Sequence, residues 1–410
     1  MPNREHQSKP EEQEKTPTQE LDSRIKSAGM FLATIDQAVT ELQIDEETGK
    51  ITYQPQTIKI EDSSQQWFAQ QHVKITQEYQ ARQTEALTEL RQTPGVLDVQ
   101  IVGGAVVLTF DSSKQAIELS LGDELYKGDE KSDRGSYKNA NDRFLGVVFV
   151  DINKDKRDDG VSATISAQHE LHHHNLAMVD YVLSQDHAVN MASAVRKIGN
   201  SALFGKGVKE AVKHGFIARD TLKKDAEEYT ALLGREYTDD EKDNIELQLR
   251  YLDELHSSYL QKKPNWFSTQ QNVYSTRGKG KHWEIVGSNE ADQTATRDML
   301  GYLQATYIMD TDIISTVKKQ VEAYPDKAPD YIKEMIVEWQ NVFAQIGGVI
   351  GTARTVQQAQ RLVAEQWTTF KSKHVKFFEK NQMVFEQLVA SWEERDVQAG
   401  NLRSLFTLQK

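Results

Sequence analysis

The chain has 410 residues, of which 38% are apolar and 27% charged, with a formal net charge of −13 and no cysteine. That balance fits a soluble, largely helical protein long enough for two or three domains. It excludes disulfides and thiolate metal sites, offers no apolar run of about eighteen residues for a membrane span, and lacks the basic surface that general nucleic-acid binding needs.

Substrates or partners are therefore expected to be proteins or peptides. The N-terminus lacks the basic-then-apolar order of a secretory signal. Cytoplasm is the default compartment, and non-classical export without a cleaved signal is also compatible.

Residues 1–20 place Pro2, Pro10 and Pro17 among Glu, Gln, Lys and Thr, which predicts a disordered tail. Residues 21–92 predict a helical hairpin. In its first half Leu21, Ile25, Ala28, Leu32, Ile35, Val39 and Leu42 form a narrow heptad seam. A coiled coil with an outside helical partner would use that seam, but a second helix over 64–91, offering Trp67, Val73, Tyr79, Leu87 and Leu90, favours packing within the chain.

Residues 97–102 and 105–110 read as two strands joined by Gly103-Gly104, a two-residue hairpin signal. Ala116 to Leu121 can add a third strand. After a polar stretch from Gly122 to Arg143, residues 144–150 form a further strand with apolar side chains on both faces. Asp151-Ile152-Asn153-Lys154-Asp155 opens like a calcium loop, but Lys156 stands where the turn glycine belongs, and Ser162 where a bidentate glutamate belongs. It is read as a solvated turn, with Ser162 as the N-cap of the next helix.

That helix carries His169-Glu170-Leu171-His172-His173, an H-E-x-x-H pattern. Residues four apart are neighbours on a helix, so the His169 and His173 rings can reach one cation while Glu170 projects beside them. Leu171, Leu176, Val179, Val182 and Leu183 supply an apolar stripe, which separates this segment from a solvated histidine tract. His172 and His174 point off the His169/His173 face and are expected in supporting or surface roles.

The stretch resembles the zinc helix of the zincin metallopeptidases. It departs from the metzincin branch, since Leu176 and Val179 stand where that pattern has glycine and histidine. The gluzincin branch takes its third ligand from a Glu on a second helix, often followed three residues later by a small residue. Asp225 to Ala231 resembles that element, and the resemblance implies Zn2+ held by His169, His173 and Glu228, with Glu170 as general base.

Leu222, Ala226, Tyr229, Leu233 and Tyr237 mark an apolar stripe on the same predicted helix, and Ala231 beside Glu228 would admit a close neighbour. Glu227 is the alternative carboxylate. His187 is a third option, similar to the third histidine of small zinc proteases that act on DNA-crosslinked proteins. His256, His282, Tyr237 and Tyr274 are chemically able to stabilise an oxyanion, but no spacing selects among them.

The expected fold is α+β and mostly helical: a small twisted antiparallel-type sheet packed on the zinc-binding helix, flanked by N- and C-terminal helical regions. The zincin-like catalytic domain would span 93–262, a linker 263–289 and a C-terminal helical bundle 290–410. In that bundle Ile332, Met335, Ile336, Trp339, Val342, Phe343 and Ile346 mark one apolar face, with breaks at Pro325, Pro329 and Gly347-Gly348. A second face, from Val363 to Trp392, lies on a long helix. The expected function is zinc-dependent hydrolysis of peptide bonds. A helical interaction or scaffold protein with a structural or vestigial metal site is the alternative, and a non-peptide amide substrate is a third.

Overall fold

The computed structural model describes residues 17–55, 60, 63–121, 124–139, 143–156, 161–183, 251–260, 290–353, 355–393 and 402–407. Among these the fold is α+β and mostly helical. The N-terminal elements are α1 (Pro17–Val39), β1 (Gln43–Ile44), β2 (Ile51–Thr52) and α2 (Ser63–Gln92). Strands β3 (Val96–Val102), β4 (Ala105–Phe110), β5 (Ile117–Leu121), β6 (Glu124–Gly128), β7 (Gly135–Asn139) and β8 (Gly146–Asp151) follow, leading into α3 (Ala163–Leu183).

Residues 251–260 form α4. The C-terminal region comprises α5 (Glu290–Ile308), a π-helical turn (Met309–Ile314), α6 (Ser315–Ala323), α7 (Asp330–Thr352), α8 (Val356–Lys373), α9 (Val375–Lys380), α10 (Gln382–Glu393) and α11 (Leu402–Phe406). No described helix is long and apolar enough to cross a membrane.

The main sheet runs β3-β4-β8-β7. Its β3–β4 hairpin turns at Gly103 and Gly104, with φ of 57° and 95°, the left-handed pair that a tight hairpin demands. The sheet is mixed rather than purely antiparallel, because β4 and β8 pair in parallel. β5 does not extend it, pairing instead with β6 in a separate ribbon.

β4 and β8 are buried along their whole length. Val107, Val148 and Val150 face α3 with Ala163, Ala167 and Leu171, while Val106, Leu108, Val147 and Phe149 face α2 and the β5–β6 ribbon. Strands covered on both faces carry the unbroken apolar runs read in the sequence.

α1 packs its seam internally. Ile25 joins the C-terminal core, Ala28, Leu32 and Ile35 pack with α2 and α3, and Val39 and Leu42 reach the sheet core. The seam is therefore an internal surface, not one held open for an outside helix. On α2 the buried apolar residues are Phe68, Ile75, Tyr79, Ala86 and Leu90, whereas Val73 is 48% exposed, so the apolar face is phased differently from the one expected.

Gly347-Gly348 does not break a helix, since α7 runs through both. The glycines are instead where neighbours come closest. A Cβ on Gly348 would overlap the Gly29 carbonyl of α1, and one on Gly29 would lie 2.9 Å from the Gly348 carbonyl carbon. One turn on, a Cβ on Gly351 would sit 3.1 Å from His256 Cδ2 of α4. The long C-terminal helix expected over the second apolar face is divided into α8, α9 and α10.

The loop after β8 starts buried at Ile152 and Asn153, and only Lys154 and Asp155 of its described residues are exposed. Asp151 is fully buried, accepts from the backbone N–H groups of Ser112 and Asn153 at 3.0 Å each, and pairs with Lys156 Nζ at 2.8 Å. Lys156 also donates to the carbonyls of Asp129 and Ser132 at 2.8 and 2.9 Å. An ammonium thus occupies the place a cation would take in such a loop. Lys156→Met is expected to cost about 3 kcal/mol, the lower end for an orphaned buried partner because two N–H groups still serve Asp151. Urea denaturation would measure it, and adding Asp151→Asn should recover part of the loss.

Candidate metal centre

α3 begins as the sequence suggests, with Ile165 N donating to Ser162 Oγ at 3.1 Å. It delivers His169 and His173 to one side, their Nε2 atoms 3.0 Å apart. α4 arrives opposite and brings Glu254, whose Oε2 lies 3.9 Å from His169 Nε2. One donor atom from each of His169, His173 and Glu254 falls within 4.8 Å of the others. Tetrahedral zinc with ligands at about 2.0–2.1 Å spaces its donors by about 3.3 Å, so small closing movements would suffice. Two imidazoles and one carboxylate are also a donor set that zinc accepts, with room left for a fourth ligand.

Among the described residues the third candidate donor is Glu254. Glu228 and its alternatives Glu227 and His187 lie outside the described residues, whereas Glu254, 254 − 169 = 85 residues after the first histidine, is at the site. The signal was present: Tyr251, Leu252, Leu255 and Tyr259 form a helical apolar stripe, and Ser257 is a small residue three positions after Glu254.

The supporting contacts orient the rings. Asp253 Oδ1 lies 3.4 Å and Ser257 Oγ 3.3 Å from His173 Nδ1, leaving Nε2 turned toward His169. A carboxylate behind a ligating imidazole fixes its tautomer and raises its basicity. Burial pulls the His173 pKa down, but Asp253, by charge and hydrogen bond, with Glu254 and Glu170, pushes it up to about 10. The surroundings thus favour a positive charge. Burial raises the Glu170 carboxyl to about 7, against the attraction of His173 and with added repulsion from Glu254, Asp133 and Asp253. A divalent cation alongside would favour its ionised form.

Glu170 also touches the sheet. Among the described strands β7 lies at the sheet edge, and a Cβ on its Gly135 would stand 3.2 Å from Glu170 Oε1. The backbone of that edge therefore runs directly past the carboxylate. This strand lies in the stretch read from sequence as a polar connection, because an edge strand of Gly-Ser-Tyr-Lys-Asn has no apolar alternation to announce it.

His172 and His174 are both buried, so neither has a surface role. Burial holds the His174 pKa down to about 3, and its Nδ1 lies 3.3 Å from Tyr137 Oη. His172 Nδ1 donates to Asp36 Oδ1 at 2.9 Å, and His256 Nε2 donates to Asp36 Oδ2 at 3.1 Å. His256, one of the candidate oxyanion donors, is thus engaged with α1. Tyr237, Tyr274 and His282 lie outside the described residues.

Burial alone would raise the Asp36 carboxyl, but attraction to His172 and the hydrogen bonds from His172 and His256 hold it well below the ordinary 3.8. Between the folded and unfolded values the unfolded chain binds the extra proton, so stability rises with pH there. The Asp36 contribution is expected in full above about pH 4 and to drain away as acid drives pH toward the folded value. Asp36→Asn should flatten this acid limb in denaturation curves collected from pH 6 down to pH 3.

Comparisons with protein-family descriptions, curated proteins and solved structures gave no match to this chain.

Proposed function

We propose that the protein is a zinc-dependent metallopeptidase in which His169, His173 and Glu254 hold the ion and Glu170 is the general base. The observation that carries this reading is the convergence of three donors from two helices beside a raised carboxylate. The site remains reachable from solvent, the Glu254 side chain being 38% exposed.

When bound, zinc supplies Lewis acidity that acidifies water to near neutrality and polarises a substrate carbonyl. Glu170 would take a proton from the attacking water and return it to the departing amide nitrogen. Asp253 and Ser257 keep the His173 ring oriented. The outer edge of β7 offers backbone N–H and C=O groups to an extended peptide, which would lie along the strand past Glu170.

Glu170→Gln tests the reading. The variant is expected to keep one equivalent of zinc and to lose about 10²- to 10⁴-fold in the rate of cleaving a quenched-fluorescent peptide library. Zinc uptake by the wild type without cleavage of peptides or other amides would leave a structural metal site in a scaffold protein.

A further inference from the structure

Asp36 belongs to α1, yet its carboxylate is where the two donor-bearing helices meet. Its Oδ1 accepts from His172 Nδ1 and from Asn175 Nδ2, both at 2.9 Å and both on α3. Its Oδ2 accepts from His256 Nε2 of α4 at 3.1 Å. Asp36, His172, Asn175 and His256 are all buried, none more than 3% exposed. Low dielectric and the absence of competing water make such hydrogen bonds to a charge strong and directional.

The geometry has a specific mechanical result. His172 and Asn175 lie three residues apart on one flank of α3, so two bonds to a single atom fix the rotation of that helix about its axis. His256 lies two residues after Glu254, on the flank of α4 turned toward α1 and α7. The His169/His173 pair and Glu254 come from different helices, and their separation follows from how α3 and α4 are held. Asp36 bridges the two.

We infer that Asp36 is a positioning residue of the metal centre, its buried carboxylate setting the spacing between His169/His173 and Glu254 on which zinc affinity depends. This rests on the reading of those three residues as zinc ligands. It does not make Asp36 a ligand or a catalytic residue. Asp36→Asn removes the charge and one of the two accepting oxygens, so His172 or His256 must either switch tautomer or lose its partner, and the charge-assisted bridge between α3 and α4 is weakened.

The test compares wild type, Asp36→Asn and His256→Phe, the last keeping a ring of similar size while removing only the arm to α4. Zinc affinity is measured by competition with a chromogenic chelator, and coordination by the visible absorption of the cobalt-substituted protein. Both are read at a temperature where circular dichroism shows each variant folded. The expected result is one tight zinc in the wild type, a loss of about 10- to 100-fold in both variants, and weaker cobalt bands as one protein donor gives way to water. Should Asp36→Asn fail to fold, the decision falls to His256→Phe.

Variants that melt lower but keep wild-type zinc affinity and the wild-type cobalt spectrum would overturn the role of Asp36 and leave the metal centre standing. A wild-type chain that takes up no zinc would instead overturn the metal centre itself, and this inference with it.

Discussion

Among the described glycines, Gly348→Ala is expected to cost the most stability, above about 3 kcal/mol, the upper end for an overpacked core. The reason is what the new methyl would meet. A Cβ at this position overlaps the backbone carbonyl of Gly29, and a backbone in a helix cannot move aside as a side chain can. α1 would have to lift off α7. That separation also breaks the bond from Thr352 Oγ1 to the Ile25 carbonyl, 3.2 Å long, and withdraws Ile25 from the C-terminal core.

Gly351→Ala is the control. Its methyl would meet the side chains of Leu32, at 2.8 Å, and His256, at 3.1 Å, which can shift at lower cost. Thermal and chemical denaturation of both variants would measure the difference. A Gly348→Ala protein that melts with the wild type would show that the two helices do not cross this closely.

Glu254→Gln is expected to remove nearly all of the stabilisation that zinc confers. A ligand that binds only the folded state stabilises it by about 4 kcal/mol when its free concentration is a thousand times its Kd. In the wild type, adding zinc to chelator-treated protein should raise the melting temperature accordingly. An amide is a poorer zinc donor than a carboxylate and leaves the two imidazoles without their negatively charged partner. Glu228→Gln, made in parallel, is expected to keep the full zinc-dependent rise. If the two variants exchange behaviour, the third ligand is Glu228, as the gluzincin resemblance implied, and Glu254 is a neighbouring carboxylate.

The parts of the fold legible in the sequence were those where one physical rule dominates. The H-E-x-x-H helix, its Ser162 cap, the Gly103-Gly104 hairpin and the doubly buried β8 each follow from periodicity or turn chemistry alone. What was missed depends on neighbours distant in the chain. β7 is short and polar because it is an edge. Gly347-Gly348 looked like a helix break because glycine is a poor helix former, yet here it serves close approach, a tertiary property that no local pattern carries.

The candidate site divides in the same way. His169, Glu170 and His173 are set by spacing within one helix turn, so the sequence displays them together. Glu254 joins them only because α4 packs against α3, and its own segment shows no more than an acidic pair on an amphipathic stripe. Asp36 is harder still. It follows Ile35 in the heptad seam and reads as an ordinary solvent-facing acid, but its position is buried because α3 and α4 supply three donors to it.

The path of α1 through three separate cores bears on how the molecule is made. As the chain leaves the ribosome, residues 17–39 emerge early, but their place against α7 does not exist until residues 330–352 have followed. Contacts so distant in sequence form slowly, and only once residues 330–352 have been synthesised. The pentapeptide helix is complete long before Glu254 is held in register with it, so a nascent chain would carry the motif without its candidate third donor in place.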